Sequence, residues 1–288
     1  MNTHHPLFHL KNMSDKIVVS AEHVRKIYAQ RTVLTDTSLN VHRGEAVALV
    51  GENGCGKSTM LRLLCGATRP DSGTVTMAHG IRAALIPDRF EKINMSTARF
   101  IEHMRSLENA DVKTAEHYCE MFSMTPYLDT PLKYLSKGML QKVAVIQALL
   151  GERTVLFMDE PLAGQDAISQ LRFADEIRCR KRDGMAVIMA CHEPFLIEAL
   201  VDRVLQIKDG VLIDGTDYLT QSASPRCMIL AMPDGVDIDA LVRDMPLTAD
   251  ISPCGQLSRI EADSFLGPAL LSLLLEHGIR IVKYEEMQ

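Results

Sequence analysis

Hydrophobic positions along the chain follow two rhythms, and the switch between them lays out the elements. From Ile17 to Val50, β-branched runs (KIVVSA, TVLTDTSLNV) alternate with turn residues and read as strands. Ala46–Val50, Thr154–Met158 and Ala186–Ala190 are short apolar runs, as expected of parallel strands buried on both faces. Between them the period lengthens. KSTMLRLLCG follows the glycine-rich GENGCG and reads as a helix stopped at Gly66, and residues 96–122 are helical with a polar face. A further helix from about Gly138 to Leu150 places Val143, Ile146, Leu149 and Leu150 on one face, with Gly151 as its stop. Strands alternating with helices predict an α/β doubly wound core with a mostly parallel sheet.

After Gly215 the pattern changes. SASP (Ser222–Pro225) reads as a linker, followed by β (Cys227–Ala231), α (Val236–Arg243), β (Gln256–Glu261), α (Gly267–His277) and β (Ile279–Tyr284). The organisation expected is a disordered tail at 1–15, a main unit at 16–221 and a small α/β unit at 222–288. No internal repeat is visible. His4, His5 and His9 in the tail are potential metal ligands, but a loose tail is the plainer reading.

Composition narrows the class. With 47% hydrophobic and 24% charged residues the chain can build a full core. Its net charge of −6 speaks against the basic face of a duplex nucleic-acid binder. Seven cysteines (Cys55, Cys65, Cys119, Cys179, Cys191, Cys227, Cys254) contain no CxxC pair, which argues against a disulfide framework or zinc site and fits reduced thiols in a cytosol. No basic region precedes an apolar run as in a signal peptide. The longest apolar stretch, Ala269–Leu275 broken by Ser272, falls far short of the roughly 20 residues that span a bilayer.

Five stretches carry candidate chemistry. Gly51–Thr59 (GENGCGKST) fits the phosphate-loop pattern and sits between a strand and a helix, where glycines let backbone amides face phosphates and the helix N-terminus favours their charge. Lys57 is then placed to reach the β- and γ-phosphates and Ser58 to ligate Mg²⁺. VLFMDEP is an apolar strand ending in Asp159, suited to holding Mg²⁺, and Glu160, suited to polarising a water. His192 follows the strand Ala186–Ala190, and a strand C-terminus in such a sheet faces the ligand crevice. Tyr28 fits either stacking on a base or packing in a strand. In LSKGM (Leu135–Met139), Ser136 suits a helix cap, whereas Gly138 inside a helix is left unexplained by capping alone.

This set, in this order, resembles the nucleotide-binding subunit of an ABC transporter over about residues 16–220. Tyr28 matches the A-loop aromatic, Gly51–Thr59 (with Asn53, Gly54, Cys55 and Gly56 inside it) the Walker A motif, and Leu156–Asp159 the Walker B strand. Glu160 matches the catalytic glutamate, Ala163–Asp166 the D-loop, His192 the switch histidine, and LSKGM the signature usually written LSGGQ. The resemblance implies a P-loop NTPase cassette with a β-subdomain and a helical subdomain at about 89–145. It also implies ATP and Mg²⁺ as cofactors, and a head-to-tail homodimer or heterodimer in which Ser136 and Gly138 complete the partner's ATP site. Lys57, Glu160 and His192 would be catalytic, and Ser58, Asp159 and Asp88 would hold the metal. A separate transmembrane permease subunit is the implied partner, no nucleic acid is expected, and the location is cytoplasmic, peripheral on the inner face of the cell membrane.

The chain departs from the family pattern at Lys137 and Met139, at Asp88 where the Q-loop glutamine is usual, and at Cys55, whose side chain is expected to point away from the phosphates. LSKGM and an acidic Q-loop resemble cassettes of the bacterial exporter branch, so export is the expectation. Two rivals stand beside it. A soluble ABC-type ATPase acting on nucleic acid or ribosomes usually carries two cassettes or long insertions. A P-loop kinase has no need of LSKGM.

Overall fold

The computed structural model describes residues 16–191, 193–217, 226–233, 235–243 and 249–287. The expected tail, His192, the SASP linker and the boundary placed at 221 lie outside the described residues.

The central sheet is built from β3 (Ala46–Val50), β5 (Ala83–Ile86), β6 (Val155–Asp159), β7 (Ala186–Ala190), β8 (Arg203–Lys208) and β9 (Val211–Asp214). Their order is β5-β6-β7-β3-β8-β9. The first five run parallel, and β9 returns antiparallel on β8. Every residue of β3, β6 and β7 is buried, which is why their sequences lack the polar alternation of a one-sided sheet. A separate antiparallel sheet of β1 (Ile17–Tyr28), β2 (Arg31–His42) and β4 (Ser72–Met77) has the order β2-β1-β4. Between the two sheets, α1 (Lys57–Leu64) seals a core that joins Val19, Val24 and Leu34 to Leu49, Met60 and Phe157.

Cover on the other face comes from α2 (Thr97–Glu108), α3 (Val112–Met121), α4 (Lys137–Leu149), α5 (Ala167–Arg182) and α6 (Pro194–Leu200). The helical region 96–122 is two helices. Asn109 adopts a left-handed φ of 52° and ends α2, and the Asp111 side chain then caps α3 by accepting from the Lys113 N–H. Helix α4 is buried well beyond the single face expected, with Gly138, Leu140, Gln141, Lys142 and Ala144 inside as well. No helix among the described residues is long and apolar enough to cross a membrane.

The C-terminal segment folds as β10 (Arg226–Met232), α7 (Ile238–Arg243), β11 (Ala249–Cys254), β12 (Leu257–Asp263), α8 (Gly267–Glu276) and β13 (Arg280–Met287). The sheet order is β11-β12-β10-β13 with every neighbouring pair antiparallel, a β-α-β-β-α-β arrangement. Strand β11 escaped the sequence reading. Its Pro253 argues against a strand, and the fold tolerates it because β11 is an edge that pairs with β12 alone. Cys227, Ile229, Ile260, Leu270 and Leu274 form this segment's core, and Leu171 of α5, 2% exposed, belongs to the same cluster.

Candidate active site

Three parallel strands end at one cleft. Strand β3 delivers the loop that opens α1, β6 ends in Asp159, and β5 leads into Asp88. A cleft of about 330 Å³ is lined by Asn53, Gly54, the run Gly56–Thr59, and the carboxylates Asp88, Asp159 and Glu160. Arg31 and Val33 of β2 form the rest of the wall. It lies where ligands bind in open α/β sheets, at the carboxyl ends of the strands.

The loop's geometry follows from its glycines. Gly51 has φ 138°, and a Cβ there would stand 2.7 Å from the Ile207 carbonyl oxygen, so only glycine lets the chain leave β3 at this angle. Gly56, at φ 120°, precedes α1, and no side chain caps the helix. The first-turn amides of α1 therefore keep their donors for a ligand, and no acidic residue in that turn opposes an anion. Lys57 is 8% exposed, and its ammonium donates to the carbonyls of Gly51 (2.7 Å) and Glu52 (3.1 Å). Cys55 does not line the cleft. Its side chain packs against the core beneath, as the sequence suggested, leaving only its backbone to the loop.

Opposite Lys57 the cleft is acidic. The Ser58 hydroxyl donates to Asp159 Oδ1 at 2.9 Å. Burial raises the Asp159 carboxyl above its ordinary range, the Ser58 bond lowers it in part, and the nearby Asp88 charge raises it again. Glu160 is pushed up to about 7, first by burial and then by the Glu193 carboxylate, with Lys57 pulling the other way. Its backbone sits at φ 49°, a left-handed conformation costly for a non-glycine residue, and its N–H donates to the Ala190 carbonyl at 2.8 Å. The strand end thus holds this acid next to Asp159 in the same cleft.

These residues fit a divalent cation that arrives with phosphates. Ser58 and Asp159 offer adjacent oxygens, Asp88 lines the same cleft as a third donor, and burial holds the Asp159 carboxyl above its ordinary range. Among the described residues no group of three or more His, Cys, Asp or Glu could hold a metal by itself. A divalent cation here would need phosphate oxygens and waters to complete its shell, as is usual for Mg²⁺.

LSKGM lies outside this cleft. Ser136 caps α4, its hydroxyl accepting from the Met139 N–H at 3.2 Å. Gly138 has a reason within its own chain. A Cβ there would overlap the Gly164 carbonyl oxygen and stand 2.7 Å from its carbon. Capping alone leaves this glycine unexplained; close packing on the 163–166 loop explains it, so Gly138 by itself does not argue for a partner subunit. Lys142, one turn on, donates to Asp166 Oδ2 at 2.6 Å. Burial pushes the Asp166 carboxyl up, but Lys142 and the Ser169 N–H and hydroxyl outweigh it and bring it to about 2. The loop after Glu160 is therefore fastened to α4 at two points.

Tyr28, expected at the nucleotide, is not brought into the cleft. Tyr28, 44% exposed, ends β1 opposite Arg31; the Lys26 ammonium lies 5.2 Å from its ring centre, and Arg31 rather than Tyr28 lines the wall. His192 lies outside the described residues. Sequence reasoning missed Arg31, Val33, Glu193 and the Lys142–Asp166 link. The QRTV run beside Tyr28 and the glutamate in HEP were the signals available.

Comparison with known proteins places these features in context. The model of the ABC transporter family matches residues 34–163. Zinc import ATP-binding proteins ZnuC from Roseobacter denitrificans and Yersinia pestis are each 32% identical to this chain, over 200 and 203 residues. Those spans are 68% and 69% of this chain and 77% and 79% of theirs. A solved ATP-binding subunit of an ABC transporter has a TM-score of 0.62 at 22% identity, covering 79% of this chain and 98% of its own. A bacterial Atm1-family ABC exporter with ATP bound gives 0.62 at 23% identity, over 73% of this chain and 40% of its own. At such identities the two structures speak for the fold alone.

Proposed function

The chain belongs to the family of ABC transporter ATP-binding proteins, whose members are ATPases coupled to transport, and from that premise we propose that it binds Mg-ATP in the Gly51–Thr59 cleft. The observation that carries the reading is Glu160, a half-buried acid held beside Asp159 in the cleft that also contains Lys57. The amides of α1 and the Lys57 ammonium would receive the phosphates. Ser58 and Asp159, with Asp88 in the same cleft, would hold Mg²⁺, which when bound neutralises charge on the transferred phosphoryl group. Glu160 would take the proton of the attacking water. His192 keeps its proposed place near the γ-phosphate on the sequence alone.

A separately encoded transmembrane subunit is the proposed recipient of the work, with the chain peripheral to the cytoplasmic face of the membrane. The C-terminal β-α-β-β-α-β segment is proposed as an accessory module, since none of its described residues lines the cleft. Nothing in the cleft's geometry bears on the direction of transport. Lys137, Met139 and Asp88 suggest export, but the relatives at 32% identity are named for zinc import, which runs against that expectation and favours uptake. Transport by vesicles containing the co-purified membrane partner distinguishes the two by the side on which solute accumulates. Action on nucleic acid remains disfavoured by the net charge of −6.

The proposed head-to-tail dimer is tested by mixing two inactive variants, Lys57→Ala and Ser136→Arg. If the signature serves the opposite subunit, one site of the heterodimer collects both lesions and the other is intact, so nucleotide trapping reappears on mixing. Heterodimers that form without regaining trapping reject that assignment.

A further inference from the structure

Two of the chain's departures from the family pattern, Asp88 and Lys137, are neighbours in space. The Lys137 ammonium is 3.6 Å from Asp88 Oδ1, and the nearly fully exposed Arg89 stands 3.6 Å from the other oxygen. Lys137 is the first residue of α4, directly after the Ser136 cap, and no acidic residue shares that first turn. A cation is at the unfavourable end of a helix there, because the N-terminal dipole repels positive charge. Asp88, reached across space, is the anion that answers it. One turn further along α4, the Gln141 side-chain amide donates to the Pro87 carbonyl at 2.9 Å, with Gln141 almost wholly buried. Helix α4 thus grips the segment carrying Asp88 twice, by a buried hydrogen bond that fixes it and by an ion pair exchangeable with solvent. The exposures show which is which, since the Lys137 side chain is 61% exposed and that of Asp88 is 39%.

Asp88 also faces inward. It lines the cleft with Asp159 and Glu160, and its charge reaches both carboxyls. A group that faces a cation site on one side and an ammonium on the other must divide its charge between them. We propose that Lys137 is a resident counter-cation that competes with the divalent cation for Asp88, so that filling the cleft loosens the start of the LSKGM helix from the segment it grips. The proposal rests on the reading that the cleft takes a divalent cation with phosphates. It makes Lys137 a positioning residue, tuning cation affinity through Asp88 without touching nucleotide.

The test is Mn²⁺ binding to the full chain in the presence of a non-hydrolysable ATP analogue, read from the free-Mn²⁺ paramagnetic resonance signal. Asp88→Asn is expected to weaken Mn²⁺ binding. Lys137→Met and Lys137→Gln, checked for folding by circular dichroism, are expected to tighten it by about two- to fivefold, the range of an exposed ion pair. That gain should shrink at high ionic strength, where exposed charges are screened. In an Asp88→Asn background either Lys137 change should add nothing. Unchanged or weaker Mn²⁺ affinity in both Lys137 variants overturns the proposal, as does a gain that persists without Asp88. If Asp88→Asn itself leaves Mn²⁺ affinity unaltered, the assignment of Asp88 to the cation falls too, and absence of Mn²⁺ binding to the unmutated chain removes the underlying reading of the cleft.

Discussion

Glu160→Gln is expected to lower ATP turnover by about 10²–10⁴-fold while ATP binding survives, the usual cost of removing a general base. The substitution keeps shape and hydrogen-bonding capacity and removes only the ability to take a proton. It should also remove a pH dependence. With its carboxyl pushed up to about 7, Glu160 is half protonated near neutrality, so unmutated turnover should rise as pH increases through that region. The same shift has a stability sign. The folded chain holds this proton more tightly than the unfolded one, whose carboxyl titrates near 4.5. The stabilisation is therefore complete below about 4.5 and is lost as pH rises through about 7. Glutamine mimics the neutral acid, so the nucleotide-free variant should melt higher than the unmutated chain at pH 8 and alike at pH 4.5. Single-turnover hydrolysis unchanged by the mutation would remove Glu160 from the base role.

Gly138→Ala is expected to be the most damaging single methyl addition in the signature stretch. The added carbon would overlap the Gly164 carbonyl, and backbone cannot swing aside as a flexible side chain does. Gly164 itself stands at φ 73°, and its loop is tied to α4 through Lys142–Asp166, so relief requires moving a helix or breaking that link. Overpacking of this kind costs about 1–3 kcal/mol. Because the same loop follows directly on Glu160, hydrolysis should fall with stability. Ser136→Ala provides the comparison, removing one cap at a cost of about 1 kcal/mol without moving the loop. Thermal melts rank the two, and a Gly138→Ala chain as stable as the unmutated one contradicts the close approach.

What could be read from the sequence was local. The phosphate loop, Asp159 and Glu160 lie in short stretches whose spacing already states their chemistry, and the buried strands announce themselves by unbroken apolar runs. Non-local matters were hidden. Asn109 divides one helical stretch into two by a backbone conformation that periodicity does not register. Pro253 disguised β11, because only the sheet order reveals that its strand is an edge. Arg31 and Val33 reach the cleft through the fold of a different sheet, and Gly138 meets Gly164 across a sequence gap that no motif spans. Asp88 and Lys137 each look like isolated departures until the fold sets them together.

Calorimetric titration of the full chain with ATP in the presence of Mg²⁺, set against Lys57→Ala, tests the Gly51–Thr59 cleft as the nucleotide site most directly. The unmutated chain should bind ATP, more weakly once Mg²⁺ is chelated, and Lys57→Ala should lose most of that affinity while melting as a folded protein. Equal ATP affinity in the two chains would contradict it.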